Sequence, residues 1–230
     1  MKTVLITGAN RGIGLEHTRS FAAKGWQVFA TARSPSNADE LNALAASHAD
    51  RVTVLTYDAA DPEAPAALKS VLGHTPIDIL LANAGASTGR SQTFGSFDVD
   101  DTLDLIRVNS LAPLKLVEAL ADNVANSEGK LIAFQSSQLG SIGNSSGGRY
   151  AYRISKTALN MVAKCVSADL SSRGVIVVAL HPGWVKTRMG GSGAPLTVEQ
   201  SVAGQQRLFD RLSVADSGHF FNYDGTELPW

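Results

Sequence analysis

Five short runs of almost unbroken apolar residues constrain this chain more than any other feature: 27–31, 52–57, 77–82, 130–135 and 175–180. They do not alternate apolar with polar, so neither of their faces is meant for water. Strands of that kind belong to a parallel sheet covered on both sides. Two further β-rich runs, 4–7 and 219–223, bring the expected strands to seven. Between the runs lie helix signals. Asp61-Pro62-Glu63 offers a cap, a first-turn proline and a first-turn acid ahead of 66–72. Thr197 with Gln200 reads as a capping box before the last helix. Leu103, Ile106, Leu111, Leu114, Val117 and Leu120 read as one apolar face continued over several turns. Alternating strands and helices imply βαβ units with right-handed crossovers. The expectation is an α/β fold, a doubly wound, seven-stranded parallel sheet with helices on both faces, in one domain over 1–230.

Composition removes competing classes. With 230 residues, 44% of them hydrophobic, the chain can bury a large core without disulfides or metal. Twenty basic and 21 acidic side chains leave a net charge of −1, so no nucleic-acid or membrane partner is expected. The single cysteine, Cys165, excludes a disulfide framework, and the spacing suggests that it packs in a core or interface. Histidines 17, 48, 74, 181 and 219 show no metal-ligand spacing, and no metal is expected. The first apolar run is too short for a signal peptide and no stretch reaches the ~18 apolar residues of a bilayer span, so a cytoplasmic protein is expected.

The first strand runs into Gly8-Ala9-Asn10-Arg11-Gly12-Ile13-Gly14 and then a helix. Glycines there let the backbone turn tightly and let a pyrophosphate approach the helix N-terminus, where free N–H groups and the positive dipole end gather. The spacing is G-x-x-x-G-x-G, neither the usual dinucleotide spacing nor a P-loop. A dinucleotide site often carries an acid about 20 residues further on for the ribose 2′-hydroxyl. The second run ends instead in Ala32-Arg33-Ser34, so Arg33, with Arg11, would suit a 2′-phosphate. NADP(H) is therefore preferred over NAD(H), which remains open.

Of the four tyrosines only Tyr152 has a lysine four residues on, Lys156, on the same helix face. An ammonium beside a phenol favours the phenolate and would bring it towards proton exchange near neutrality. Upstream, strand 130–135 runs into Ser136-Ser137, at the strand end where open parallel sheets bind ligands.

These motifs together resemble the short-chain dehydrogenase/reductase family, in its order and nearly end to end. The cofactor turn Thr7–Gly14 is matched first, with Asp58 where the family contacts adenine. Asn83-Ala84-Gly85 follows, then Asn109 in a helix, the trio Ser137, Tyr152 and Lys156, and Pro182-Gly183 with Val185 and Thr187 near the nicotinamide. Within the family, Gly147–Lys156 and Phe220–Trp230 are similar to the C-factor and sniffer-type carbonyl reductases.

The resemblance implies a Rossmann-type fold and reversible hydride transfer between a nicotinamide and a carbonyl–alcohol pair. Tyr152 would be the general acid/base. Lys156 would lower its pKa and bond the nicotinamide ribose. Ser137 would donate to the substrate oxygen, Asn109 would anchor a water relaying protons past Lys156, and Thr187 would bond the carboxamide. The implied partners are a small carbonyl or alcohol substrate and a second copy of the chain, as homodimer or homotetramer, through apolar helix faces over 101–120 and 152–170. Residues 188–200 are expected to form a short substrate lid. His181, near the nicotinamide, reads more as packing than as a substrate contact, Trp184 reads equally as pocket border or core, and Leu228-Pro229-Trp230 reads equally as interface or pocket cap. An NAD(P)-dependent alcohol or diol dehydrogenase working in oxidation is the nearest alternative. A cofactor-binding regulatory protein on the same fold is the more distant one, against which the intact Ser137, Tyr152 and Lys156 speak.

Overall fold

The computed structural model describes residues 1–88 and 93–230. Seven strands form one sheet: β1 (Thr3–Ile6), β2 (Gln27–Ala32), β3 (Val52–Thr56), β4 (Ile79–Ala82), β5 (Leu131–Gln135), β6 (Ile176–His181) and β7 (His219–Asn222). The order is β3-β2-β1-β4-β5-β6-β7, and every pairing is parallel. One face packs on α1 (Gly12–Ala23), α2 (Asp39–Ser47) and α7 (Val198–Phe209), around Ile6, Val28, Leu81 and Phe21. The other packs on α3 (Ala64–Leu72), α5 (Ala112–Ala125) and α6 (Tyr150–Asp169), around Leu5, Leu80, Ile132 and Phe134. Adjacent residues of one strand thus enter opposite cores, which is why the runs show no alternation. The strand order reverses between β1 and β4, and there a crevice opens at the carboxyl ends of the strands.

The Thr197–Gln200 capping box is present, with both reciprocal bonds. It makes 198–200 the first turn of α7, so the irregular segment expected as a lid ends at Thr197. The cap expected at Asp61 serves a turn instead: its carboxylate accepts the Glu63 N–H at 2.9 Å. α3 starts only at Ala64, with Pro65 rather than Pro62 in its first turn.

The larger difference lies over 99–125. The single helix expected there is α4 (Val99–Ile106), a π turn at Arg107–Leu111, then α5. Pro113 has no N–H for the carbonyl of Asn109, so the regular ladder fails at that point. The Ala112 N–H reaches back five residues to Arg107. The extra residue turns the helix about its axis. Leu103 and Leu111 of the expected apolar face become exposed, while Asn109 and Ser110 become fully buried.

Among the described residues no helix is long and apolar enough to cross a membrane, and no group of three or more His, Cys, Asp or Glu could hold a metal ion.

Candidate active site

The crevice holds a cavity of about 1060 Å³. Every residue named above for catalysis or cofactor binding lines it except Thr7, Ala9, Ser137, Asn109, Gly183 and Val185.

Its first wall is a cradle of backbone. The Thr7 hydroxyl oxygen accepts from the N–H groups of Asn83 and Ala84, both at 3.0 Å. The Asn83 amide donates back to the carbonyls of Thr7, at 2.8 Å, and Gly8, at 3.2 Å. This lacing pins the turn after β1 to the end of β4. A Cβ on Gly14 would lie 2.3 Å from the Gly8 carbonyl oxygen, so only glycine lets helix and turn meet there. The N-terminus of α1 has no side-chain cap and no acid in its first turn. Its N–H groups face the cavity unneutralised, which suits a pyrophosphate. Arg11 and Arg33 stand exposed on the rim, neither in an ion pair among the described residues, and Asp58 lies with them.

The second wall is built from side chains. A Cβ on Gly140 would lie 2.8 Å from the Lys156 carbonyl, so glycine lets the turn after β5 lie on α6. Thr157 and Asn160 donate to the Gly140 carbonyl at 3.0 and 3.1 Å, and Ser136 donates to Asn160 at 2.6 Å. This seats Ser137 beside the Tyr152 phenol. Burial holds the Tyr152 phenol above the usual tyrosine value, against the downward pull of the neighbouring Ser137 hydroxyl and the Arg149 charge. Lys156 is buried, and desolvation lowers its ammonium to about 8. Its Nζ donates to the Gln135 carbonyl at 2.8 Å and lies 5.9 Å from the centre of the Tyr152 ring. The two side chains share a helix face, but the expected lowering of the Tyr152 pKa by Lys156 is absent here. The ammonium donates to the Gln135 carbonyl instead, and burial is the largest influence on the phenol.

Asn109 stands behind this corner. Its Nδ2 donates to the Ala86 carbonyl at 2.9 Å and to Ser155 Oγ at 3.0 Å, and its Oδ1 accepts the Ala86 N–H at 2.8 Å. Both amide hydrogens are used on protein, so the side chain clamps the segment after β4 to α6. Gly183 and Val185 also serve packing. A Cβ on Gly183 would strike Leu196 at 2.3 Å, and buried Val185 bridges to Leu196. Met189 brings its sulfur within 4.0 Å of the Tyr152 hydroxyl, and the Trp184 indole braces the segment by donating to the Gly190 carbonyl at 2.8 Å. His181 is buried outside the cavity lining, with burial lowering it to about 4.

Other features fall elsewhere. Cys165 is exposed on α6, not packed in a core. Trp230 stacks on Phe220 at 5.6 Å, and its carbonyl accepts the Gly143 N–H at 2.9 Å, so the C-terminal segment clasps the loop behind Ser137 within the chain.

Three contributors went unread in the sequence. Gln135 ends an apolar strand with a buried amide lining the cavity, neither of its polar atoms paired, and that polar terminus was the available signal. Arg153 ties down the loop before α6. A buried chain runs from His17 on α1 to Gln205 on α7 at 3.0 Å, from Gln205 to Ser201 at 2.9 Å, and from Ser201 to the Pro182 carbonyl at 2.6 Å.

A glycine-rich turn at the strand ends lies on the same cavity as Tyr152 and Lys156. Residues 2–195 match the short chain dehydrogenase family. The chain belongs to that family. C-signal of Myxococcus xanthus is 42% identical over 156 residues, 67% of this chain and 93% of that protein. The carbonyl reductase Sniffer of D. melanogaster superposes with a TM-score of 0.91 at 36% identity, covering 100% of both chains. An NADPH-bound carbonyl reductase from chicken fatty liver gives 0.91 at 34% identity, covering 100% of this chain and 99% of that one. The chain is thus a short-chain dehydrogenase of the oxidoreductase class, on the Rossmann-like frame shared with those carbonyl reductases.

Proposed function

We propose that this protein is an NADPH-dependent carbonyl reductase with Tyr152 as its general acid. The observation that carries the reading is the phenol of Tyr152, beside Ser137 and on the same cavity as the glycine cradle. When bound, the cofactor supplies the hydride in reduction and takes it back in oxidation. The cradle 8–14 would hold its pyrophosphate, Asp58 its adenine, Lys156 its nicotinamide ribose and Thr187 its carboxamide. Ser137 donates to the substrate carbonyl oxygen and holds it at the phenol. Tyr152 then gives that oxygen its proton. Burial keeps the phenol protonated at neutral pH, the form that reduction requires and oxidation does not. This favours reduction over the oxidative reading.

The rim arginines and the absence of an acid after β2 support NADP(H), as do the NADP-bound relatives. The test is consumption of NADPH and NADH with a panel of aldehydes, ketones and quinones. NADPH is expected to be preferred, and Arg33→Ala should weaken it about tenfold while sparing NADH. Equal use of both cofactors by the unaltered protein would refute the preference. Exposed Leu103, Leu111, Ile154 and Met161 support self-association, checked by light scattering.

A further inference from the structure

β5 ends in a polar residue whose amide has nothing in the protein to bond. Gln135 is 7% exposed, and neither its Oε1 nor its Nε2 has a partner. Leaving a buried amide so is costly, and such a group is kept where something other than the protein completes its bonds. Five other side chains among the described residues carry a buried unpaired polar atom: His17, Thr31, His181, Gln206 and Asn222. None of the five lines the cavity, and Gln135 does. Its backbone carbonyl already accepts from the Lys156 ammonium, so the unmet need lies in the side chain.

Alternation along β5 says which way the amide points. Leu131 and Ala133 pack in the core under α1, α2 and α7, while Ile132 and Phe134 pack in the opposite one. Gln135 therefore projects to the α1 side, as does Leu180, its register partner in β6. Tyr152 and Lys156 reach the cavity from α6, on the other side of the sheet. On the α1 side the cavity is lined by Gly12 and Ile13, by Pro182 just beyond β6, and by Thr187, whose methyl carbon lies 3.4 Å from the place of a Cβ on Gly12. The strand order fixes which part of a dinucleotide lies there. Arg33 and Asp58 follow β2 and β3 at one end of the row, the cradle follows β1, and Gln135 ends β5 on the far side of the cradle. A dinucleotide with its pyrophosphate at the cradle and its adenine at Asp58 brings its nicotinamide to the end of β5. That ring carries a primary carboxamide, whose C=O accepts and whose NH2 donates. The glutamine amide offers the same two groups, so the two amides can exchange a pair of hydrogen bonds.

We propose that the Gln135 side chain is a cofactor-binding group that hydrogen-bonds the nicotinamide carboxamide from the α1 side of the sheet, opposite Tyr152. This rests on the NADP(H) reading. Gln135→Met removes the amide, keeps the length of the side chain and leaves the backbone carbonyl that holds Lys156. Calorimetric titration then compares three ligands: NADP, adenosine 2′,5′-bisphosphate, which lacks the nicotinamide, and 3-acetylpyridine adenine dinucleotide phosphate, which has a methyl group in place of the carboxamide NH2. In Gln135→Met the affinity for NADP is expected to fall about tenfold, that for the bisphosphate to stay within about a factor of two, and that for the acetylpyridine analogue to fall by less than that for NADP. Without ligand the variant is expected to melt higher than the unaltered protein, because two unpaired polar atoms leave the interior. An NADP-to-bisphosphate affinity ratio that is the same in Gln135→Met as in the unaltered protein overturns the proposal alone. Failure of the unaltered protein to bind NADP overturns it together with the reductase reading. Should Gln135→Met not fold, the unaltered protein still decides: it is expected to bind NADP more tightly than the acetylpyridine analogue, and equal affinities overturn the proposal.

Discussion

The two walls of the cavity solve one positioning problem by different means. The cradle between β1 and α1 is made of backbone, and its specificity lies in what is missing: no Cβ at Gly14, no cap and no acid at the helix end. The corner between β5 and α6 is made of side chains, each locked by another, down to a lysine whose ammonium is tied to a carbonyl. A cradle of backbone binds a fixed group and tolerates little substitution. A corner of side chains can be tuned through charge and burial. A buried run from His17 through Gln205 and Ser201 to the Pro182 carbonyl ties the cradle helix α1 to the turn after β6 on the same cavity.

The comparison breaks most sharply at Tyr152. Tyr152→Phe should lower turnover about 10³-fold, while NADPH affinity, measured by fluorescence titration, stays within a factor of two, since the cradle is untouched. A variant that keeps its activity would remove the acid from the corner.

Acid tests the connection. His17 is fully buried and burial lowers it to about 4, from an ordinary value of 6.5. Between those values the unfolded chain binds the proton and the folded one resists it, so stability falls as pH falls from 6.5 towards 4. By pH 4 the loss from His17 is about 3 kcal/mol. Urea unfolding of His17→Gln should show a pH 7 to pH 4 decline smaller by that amount. His181, shifted in the same direction, supplies a remainder that the variant keeps. An identical decline in both proteins would place the acid sensitivity elsewhere.

The smallest effect is at the cradle. Gly14→Ala gains about 1 kcal/mol of helix propensity. It also forces a Cβ to within 2.3 Å of the Gly8 carbonyl oxygen and 2.7 Å of the Asn83 amide nitrogen. Overpacking against backbone should win, for a net loss of about 2 kcal/mol by denaturant titration with NADPH binding impaired. Tyr152→Phe and Gly14→Ala thus part the walls, one sparing binding and the other not.

Much of this was legible before folding was considered. Continuous apolar runs announce strands buried on both faces, and a glycine-rich turn after the first announces the cradle. The i, i+4 spacing of Tyr152 and Lys156 announces a shared face. These are local patterns with one physical solution each. The π turn at 107–111 was not legible, because Leu103 to Leu120 has an acceptable helical period and the extra residue follows from the missing N–H of Pro113 and the burial of Ser110 against α6. Nor was the exposure of Cys165, since its spacing fits a buried face as well as an open one.

The sequence by itself determined the strands, the glycine-rich turn after the first of them and the shared face of Tyr152 and Lys156, since these depend on near neighbours in the chain. Tertiary structure alone decided how those groups are set. The Gln135 carbonyl draws off the Lys156 ammonium, and burial raises the Tyr152 phenol. Desolvation and charge act across distances in space that separation along the chain does not encode.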